Sequence, residues 1–568
     1  MSESTAKIGV QLLIEAFLQH GVTDVVFSPG SRNAPLVIGI VGCGKFNTIS
    51  LPDERSAAFF ALGMAQQTNR PVPVMCTSGS ALLNYAPAVA EAYYQRVPFM
   101  VVSADRPLEW IDQGDGQTIN QQGVFANFID YNISLPVEPF NESQQWYYRR
   151  EINTALNYAQ KGPVHINMPF EEPLYDKSAS KTFSAQAIQL VQSSEEMLSD
   201  EVMNELYNEW YSAKKRMILI GQKHYSLRFL QLMEPLLNDP DTLVLVENTS
   251  NIVHQNAVHC IDRTLAQLEL LDIEAFTPDL LVTFGGAIVS KKIKTFLRSK
   301  HVKSHWKIGA DFPFMDTYQH LTKSIALDEC SFLNQFTSRL SINGDSNFGV
   351  NWKSADYAAK DKHTKFLSTL KFSDLKVMEI VHDSIPDKSH LHLGNSSVVR
   401  YAQLFDPIKG VNYWCNRGTS GIDGSVSTAA GAAFANSTQF HTLIVGDISF
   451  FYDSNALWNQ FLTPNLRIIV VHNGGGGIFK IIPGPDTTLQ LEDFFVTAHN
   501  YSAAHICKAF EIDYYHASSQ DELEQEIINL YQPTSNNRPA LLEIFTPAEI
   551  NDKELKRYFN TIRNASNS

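Results

Sequence analysis

The chain of 568 residues is far longer than one hydrophobic core can organise, so about three domains are expected. Its 44 % hydrophobic and 18 % charged residues are typical of a globular protein, and its formal net charge of −15 argues against a nucleic-acid-binding surface. The sequence contains no uninterrupted apolar stretch of about 18 or more residues, so no transmembrane helix is predicted. The N-terminus lacks a basic signal-like start and the six cysteines form no Cys-x-x-Cys pair, so a cytoplasmic protein with reduced thiols is expected.

The first block, residues 1–180, alternates predicted helices and strands. An amphipathic helix is predicted near the N-terminus, and apolar residues at helical spacing predict further helices over residues 54–67 and 80–96. Short apolar runs predict strands at VTDVVF (22–27), PVPVMC (71–76), FMVVSAD (99–105) and VHINMP (164–169). This alternation favours a doubly wound α/β domain with a parallel sheet.

Two further α/β blocks follow. Residues 176–195 are polar and Ser-rich, which predicts a linker before a second block at 195–345 and a third at 370–568. The second block has strand-like runs at RMILI, TLVLV, DLLVTF and HWKI, and the third at HLHL, HTLIVG, LRIIVVH and ALLEIF. The second block lacks a glycine-rich dinucleotide fingerprint, so FAD is not expected there. The predicted fold is α/β, with three successive doubly wound parallel-sheet domains.

Two of the third block's strands each end in a residue that can bind a metal. One apolar run ends at Gly446 and Asp447, and the next ends at Asn473, 26 positions after Asp447, with a glycine loop beyond it. That spacing fits one strand–helix–strand unit, so the two polar side chains are expected side by side at the sheet edge. A carboxylate, an amide oxygen and a freed carbonyl at Gly475 suit a hard divalent cation that also holds a phosphate.

This arrangement resembles the diphosphate–magnesium motif of thiamine diphosphate (ThDP) enzymes, in which Gly-Asp-Gly is followed one strand later by Asn-Asn. The chain departs from that motif at Ile448 and His472 but keeps Asp447 and Asn473. We interpret His472 as a group beside the metal, because Mg²⁺ prefers oxygen ligands. The resemblance implies ThDP and Mg²⁺ (or Mn²⁺) as cofactors.

Glu54 opens the predicted helix over residues 54–67. An acidic residue in a first turn ordinarily only complements the helix dipole. In ThDP enzymes, a glutamate at this place hydrogen-bonds the aminopyrimidine ring and favours the imino tautomer that removes the thiazolium C2 proton. The metal motif favours that second interpretation of Glu54.

A closer resemblance is carried by SRNAPL (31–36), NRGTSGIDG (416–424) and GGGIF (475–479). These segments are similar to those of the 2-succinyl-5-enolpyruvyl-6-hydroxy-3-cyclohexene-1-carboxylate (SEPHCHC) synthases of menaquinone biosynthesis. The resemblance covers both outer domains and reaches the middle one only through GGAIVSKKI (285–293). It implies a transferase that decarboxylates 2-oxoglutarate and adds the remaining carbon unit to isochorismate in a conjugate addition.

The same resemblance implies roles for individual residues. Glu54, Ile422 and Ser396 are expected to take part in catalysis. Cofactor contacts are expected from Glu54, Asn395, Ser396, Ile422, Gly446, Asp447, Ser449 and Asn473, and metal ligands from Asp447, Asn473 and Gly475. Substrate contacts are expected from Ser31, Arg32, Arg106, Gln117, Lys292, Arg400, Arg417, Ile478 and Phe479. The five cations among them suit two dicarboxylate substrates, because arginine favours bidentate carboxylate recognition.

Two alternatives remain open at this point. One is another ThDP enzyme, such as an acetolactate-synthase-like or simple 2-oxo acid decarboxylase, although a small monoanionic substrate would not need five cations. The other is a non-catalytic protein with a ThDP-type fold, which would require loss of Glu54, Asp447 or Asn473. The resemblance also implies a homo-oligomer, a dimer at minimum and a tetramer as an open possibility, since Glu54 and the metal motif meet across a subunit interface in this family.

Overall fold

The structure, a computed structural model, describes residues 3–179, 187–191, 196–268, 273–342, 344, 346–482 and 484–563. Within these ranges the chain forms three six-stranded parallel sheets flanked by helices, and one small antiparallel pair of strands. None of the described helices is long and apolar enough to cross a membrane.

The first domain is built on a parallel sheet of strand order β3-β2-β4-β5-β7-β6. Its strands, together with the antiparallel pair β1–β8, are β1 Glu3–Thr5, β2 Asp24–Phe27, β3 Asn47–Ser50, β4 Val72–Cys76, β5 Phe99–Asp105, β6 Tyr131–Ser134, β7 Pro163–Pro169 and β8 Lys177–Ala179. Its helices are α1 Ile8–Gln19, α2 Ala34–Cys43, α3 Glu54–Thr68, α4 Ser80–Asn84, α5 Ala86–Gln95 and α6 Glu142–Tyr158.

The second domain has the sheet order β11-β10-β9-β12-β13-β14. Its strands are β9 Arg216–Ile220, β10 Thr242–Val246, β11 Ala257–Val258, β12 Leu280–Phe284, β13 Ser304–Ile308 and β14 Leu321–Ile325. Its helices are α7 Asp200–Ser212, α8 Leu227–Leu237, α9 Ile261–Leu268, α10 Lys291–Ser299 and α11 Glu329–Thr337, and α12 Phe348–Leu367 leads to the third domain.

The third domain has the sheet order β16-β15-β17-β18-β20-β19. Its strands are β15 His390–Leu393, β16 Asn412–Trp414, β17 His441–Gly446, β18 Leu466–His472, β19 Asp513–Ala517 and β20 Ala540–Phe545. Its helices are α13 Asp374–Ser384, α14 Ser397–Ala402, α15 Ser425–Ala435, α16 Asp447–Tyr452, α17 Ala504–Ala509, α18 Gln520–Leu530 and α19 Ala548–Arg563.

Helices α3 and α15 join the first and third domains through unusually close backbone contact. A Cβ added to Gly63 would lie 2.0 Å from the Thr428 carbonyl oxygen, and one added to Gly431 would lie 1.9 Å from the Phe60 carbonyl oxygen. Real side chains cannot occupy such positions, so glycine is required on both helices. The two domains of one chain therefore pack backbone against backbone at this point.

The predicted α/β fold class is confirmed, with differences at short and polar segments. The predicted helix over residues 80–96 is two helices, α4 and α5, with Pro87 in the first turn of the second. The first residues of the predicted linker form β8, which pairs with β1, whereas residues 180–186 and 192–195 lie outside the described residues. The stretch between the second and third predicted blocks is largely the helix α12.

Candidate functional site

The ends of β17 and β18 meet as the sequence pattern predicted. The two strands are parallel neighbours, with Gly446 paired to Val471, so Asp447 and Asn473 both emerge at the carboxyl edge of the sheet. Asp447 is 2 % exposed and its Oδ2 accepts hydrogen bonds from the backbone N–H groups of Gly474 (2.8 Å) and Gly475 (3.0 Å). Burial raises the pKa of the Asp447 carboxyl, against the opposing influence of His472.

Asn473 supplies the observation that tests whether a metal fits this edge. Its Nδ2 donates to Asp374 Oδ2 at 2.8 Å, which fixes the amide orientation, while its Oδ1 is buried with no hydrogen-bond partner among the described residues. A buried acceptor without a partner is costly unless a ligand satisfies it. Gly475, at a φ of 153°, has its carbonyl engaged by Gly477 N–H at 3.0 Å, which leaves one lone pair for a further contact.

The donor set therefore fits a hard divalent cation. Asp447, Asn473 and the Gly475 carbonyl offer oxygen atoms, the ligand type that Mg²⁺ and Mn²⁺ accept. Sequence reasoning missed Asp374, which burial brings to a pKa of about 6 and which Thr546 Oγ1 contacts at 2.6 Å. No motif marks Asp374, because it starts α13, far from Asn473 in the sequence.

Two histidines lie beside this carboxylate. Ring atom Nε2 is 3.9 Å from Asp447 Oδ2 in His472 and 3.6 Å in His499, and one ligand atom from each of the three residues lies within 4.8 Å of the others. Burial tends to raise the pKa of Glu543, but hydrogen bonds from His472 and other groups lower it overall. Because an ionised carboxylate can only accept hydrogen bonds, His472 Nδ1 is the donor in the 2.7 Å bond to Glu543. That bond fixes the ring with Nε2 toward Asp447, where the imidazole would influence a metal ion bound at this edge.

A cavity of about 590 Å³ opens next to this cluster. Its lining includes Ile448, Phe451, Tyr452, Thr497, His499 and Tyr501. The aromatic rings place an apolar wall beside the polar strand ends, which is the composition of small-molecule and cofactor sites. Sequence reasoning missed His499 because nothing but the fold brings it near Asp447.

Glu54 is the first residue of α3, and the reason is local. Asp53 precedes the helix with an extended backbone, and its side chain accepts from Ser56 N–H at 2.8 Å, a standard N-cap. Glu54 is half-buried and its Oε2 accepts from Asn84 Nδ2 at 3.3 Å. Across the described residues, no hydrogen bond or ion pair joins Glu54 to Asp447 or Asn473 within one chain.

The loop after β15 and the loop at 416–422 form one hydrogen-bonded unit. Asn395 is 3 % exposed; its Nδ2 donates to the carbonyl oxygens of Asn416 (2.7 Å) and Gly421 (2.6 Å), and its Oδ1 accepts from Arg417 Nη1 at 3.0 Å. The carbonyl of Ile422 accepts from Ser449 Oγ at 2.9 Å. This network brings four predicted cofactor or substrate residues to one edge of the third domain.

Ser396 has a backbone conformation that costs energy. Its φ of 75° and ψ of −122° are rare for a residue with a side chain. Such strain, of about 1–3 kcal/mol, persists where the surroundings enforce it and clusters at functional sites. The strain therefore agrees with a functional role at the start of α14.

Three predicted substrate cations gather where the second domain meets the third. Burial lowers the pKa of Arg400, as does the charge of nearby Arg417. In both guanidinium groups the buried Nε has no hydrogen-bond partner within the described part of the chain. Burial raises the pKa of the Asp262 carboxyl, whereas the charges of Lys292 and Arg400 lower it. Lys292 also lies over the ring of Phe559, 4.6 Å from its centroid. Lys292 and Arg400 thus lie near the Asp262 carboxyl, and the Nε–H groups of Arg400 and Arg417 offer donors to a ligand.

The remaining predicted substrate residues lie elsewhere. In the first domain, Arg32 is 4 % exposed and donates to the Phe170 carbonyl oxygen at 3.0 Å, while Arg106 pairs with Asp115 at 3.2 Å. Ser31 and Gln117 of that domain are exposed. In the third domain, half-buried Ile478 and Phe479 lie on the short 3₁₀ helix Gly477–Lys480.

Comparison with known proteins defines the class of protein. The family model described as "Thiamine pyrophosphate enzyme, N-terminal TPP binding domain" matches residues 8–124, and "Thiamine pyrophosphate enzyme, C-terminal TPP binding domain" matches residues 393–544. The fold is similar to the crystal structure of benzoylformate decarboxylase from Polynucleobacter necessarius, with a TM-score of 0.71, 15 % identity, and coverage of 95 % of this chain and 99 % of that chain. The chain carries both cofactor-binding domains of a thiamine diphosphate enzyme.

Relatives named 2-succinyl-5-enolpyruvyl-6-hydroxy-3-cyclohexene-1-carboxylate synthase match nearly the full length. Those from Christiangramia forsetii, Porphyromonas gingivalis and Bacteroides thetaiotaomicron are 43 %, 39 % and 36 % identical, over 98 %, 100 % and 98 % of this chain and 98 %, 99 % and 99 % of theirs. The chain belongs to the SEPHCHC synthase family.

Proposed function

We propose that the protein catalyses the ThDP- and Mg²⁺- (or Mn²⁺-) dependent decarboxylation of 2-oxoglutarate and the conjugate addition of the remaining carbon unit to isochorismate. The products are SEPHCHC and CO₂, in menaquinone biosynthesis. Family membership supports the reaction. The observation that best supports the cofactor site is the buried Oδ1 of Asn473, which lies at the same strand edge as Asp447 and has no hydrogen-bond partner in the residues that the structure describes.

The chain's own groups have separable tasks in this reaction. When bound, ThDP supplies the electron sink that allows a 2-oxo acid to lose CO₂. Asp447, Asn473 and the Gly475 carbonyl would hold the cation that neutralises the cofactor's diphosphate. Glu54 would share a proton with the pyrimidine ring nitrogen, so that the exocyclic amino nitrogen can act as a base. Contacts with the cofactor are assigned to Asn395, Ser396, Ile422, Gly446 and Ser449.

Substrate selectivity follows from the distribution of cations. Both substrates carry two carboxylates, and charge-assisted hydrogen bonds from arginine are the strongest contacts available to them. We assign Lys292 and Arg400 to 2-oxoglutarate, and Arg32, Arg106 and Arg417 to isochorismate. Ser31, Gln117, Ile478 and Phe479 complete the proposed substrate pocket. The buried Nε atoms of Arg400 and Arg417, which have no hydrogen-bond partner among the residues described, support this assignment.

A homodimer is the smallest active unit proposed. Glu54 and Asp447 belong to different domains and form no direct contact within one chain across the described residues. A second copy that places its Glu54 opposite Asp447 would complete the site. Pairing of two dimers into a tetramer, and a cytoplasmic location, belong to the same proposal.

Product analysis tests the proposed function. The purified protein with ThDP and Mg²⁺ is incubated with isochorismate plus either 2-oxoglutarate or pyruvate, and products are identified by mass spectrometry. SEPHCHC is expected only with 2-oxoglutarate, and an Asp447→Ala variant is the matched control that should form none. Full turnover with pyruvate alone would instead favour the acetolactate-type alternative.

A further inference from the structure

Glu91 is a buried carboxylate in the first domain that binds a loop of the third domain. It lies on α5, is 0 % exposed, and accepts backbone N–H hydrogen bonds from Gly418 (Oε1, 2.7 Å) and Thr419 (Oε2, 2.7 Å). The Thr419 hydroxyl donates a third bond to Oε2 at 2.5 Å, and Gln95 Nε2 donates to Oε1. Both carboxylate oxygens are therefore occupied by donors, and the buried charge has a structural reason to be there.

The loop is shaped to fit this carboxylate. A Cβ on Gly418 would lie 2.8 Å from the Glu91 carbonyl oxygen and 3.0 Å from the Tyr94 Cβ. A side chain at residue 418 would thus push the loop away from α5. Close approach and two N–H bonds together define the position of residues 418 and 419.

Arg417 directly precedes residues 418 and 419, and its side chain is held by Asn395. Arg417 Nη1 donates to Asn395 Oδ1 at 3.0 Å, and Asn395 Nδ2 donates to the Asn416 carbonyl oxygen at 2.7 Å. Asn395 therefore fixes the side chain of Arg417 and the backbone before it, whereas Glu91 fixes the backbone after it. With both supports in place, the guanidinium has little freedom to move.

We propose that Glu91 is a positioning residue for the reaction: it holds the 417–419 backbone so that Arg417 points at a substrate carboxylate. The inference rests on the proposed function, in which Arg417 binds isochorismate. A neutral amide at position 91 could accept only one of the two backbone N–H bonds and would present its own N–H₂ to the other. The loop would then shift while the cofactor site at Asp447 stays as it is.

The test compares KM for isochorismate with KM for 2-oxoglutarate and with the rate of C2 proton exchange in Glu91→Gln, and Asp311→Asn is the matched control. Asp311 forms an ion pair with Arg96, the residue after α5, at 3.1 Å, so the control also removes one charge from an interdomain contact of this helix. Glu91→Gln should raise KM for isochorismate roughly ten-fold, the effect of about 1.4 kcal/mol. KM for 2-oxoglutarate and the rate of C2 proton exchange should change less than about three-fold, and the control should leave all three unchanged. A melting temperature lowered in Glu91→Gln with wild-type values of all three would overturn the inference.

A double-mutant cycle with Arg417→Ala locates the effect. If Glu91 acts through Arg417, the double variant should have the isochorismate KM of Arg417→Ala alone, because neighbours in one network are not additive. Additive increases, or an Arg417→Ala variant with wild-type KM, would overturn the positioning role. Failure of the proposed function is distinguishable, because the wild-type protein would then form no SEPHCHC at all.

Discussion

If Arg106 binds isochorismate as proposed, its ion-pair partner Asp115 competes with the substrate, and removing the charge of Asp115 should improve isochorismate binding. Asp115 Oδ2 lies 3.2 Å from Arg106 Nη1, and Arg106 Nη2 also donates to the Gly116 carbonyl oxygen at 3.1 Å. In the proposed site, a substrate carboxylate would have to displace Asp115 to pair with this guanidinium. Asp115→Asn keeps the side-chain shape and its acceptor for Gly116 N–H, but removes the competing charge.

The expected gain is modest because both partners are partly in water. The Arg106 and Asp115 side chains are 21 % and 34 % exposed. Coulomb's law at this separation gives about 1.3 kcal/mol in water and about 5 kcal/mol at an effective dielectric constant of about 20. Measured exposed pairs are worth only about 0.2–1 kcal/mol once solvent screening and side-chain entropy are included. KM for isochorismate should therefore fall roughly 1.4- to five-fold at low salt.

Steady-state kinetics at two ionic strengths provides the assay, and Asp112→Asn is the control. Asp112 is an exposed acid of the same segment with a φ of 59°, a conformation that asparagine tolerates. The gain should be confined to Asp115→Asn and should shrink near 1 M salt, where the screening length is about 3 Å. An increased KM in Asp115→Asn would mean that Asp115 contacts the substrate, and an equal gain in both variants would mean a general field effect; either result refutes the competition.

Three other outcomes are expected. Glu54→Gln should slow proton–deuterium exchange at C2, followed by NMR, by about 10²–10⁴-fold without weakening ThDP binding; an unchanged rate would remove Glu54 from the mechanism. Asp447→Ala should abolish Mg²⁺-dependent ThDP binding in calorimetry, so wild-type affinity in that variant would disprove the metal assignment. Burial raises the pKa of Asp453 to about 7, against hydrogen bonds from Ser427 that lower it. In the unfolded chain the Asp453 carboxyl ionises near pH 4. The free energy of unfolding should therefore fall, by up to about 4 kcal/mol, as the pH rises from about 4 to about 7. The melting temperature of Asp453→Asn should therefore rise relative to that of the wild type as the pH increases from 5 to 8. A difference between the two melting temperatures that stays constant across that range would contradict the prediction.

Much of the fold could be predicted from local patterns. The buried parallel strands are continuous apolar runs, so β17 and β18 were readable together with the polar residues that end them. The position of Glu54 at the start of a helix could be predicted because a strongly periodic stretch follows it, whereas its catalytic role was inferred from the resemblance and stays a prediction. Short edge strands such as β16 carry too few residues for a period to be visible.

The residues that support the predicted site residues could not be predicted, because they reach the site through contacts between segments distant in sequence. Glu543 contacts His472, and His499 approaches Asp447, only once β20 and the 497–502 segment pack beside β18. Glu91 looks like an ordinary polar position of an amphipathic helix, yet it is fully buried against a loop more than 300 residues away. No spacing rule within one segment can encode such pairings.

The glycine-mediated contact of α3 with α15 has a mechanical consequence for the proposed dimer. Helix α15 begins at Ser425, directly after the loop that carries Arg417 and Ile422, and α3 begins at Glu54. Since backbone meets backbone between these helices, they cannot slide without breaking the fit. In the proposed dimer, Glu54 contributes to the active site of the neighbouring subunit. The rigid α3–α15 pair therefore connects the loop before α15 in one active site with Glu54 in the other. A movement of the loop in one active site on substrate binding would then displace Glu54 in the other active site.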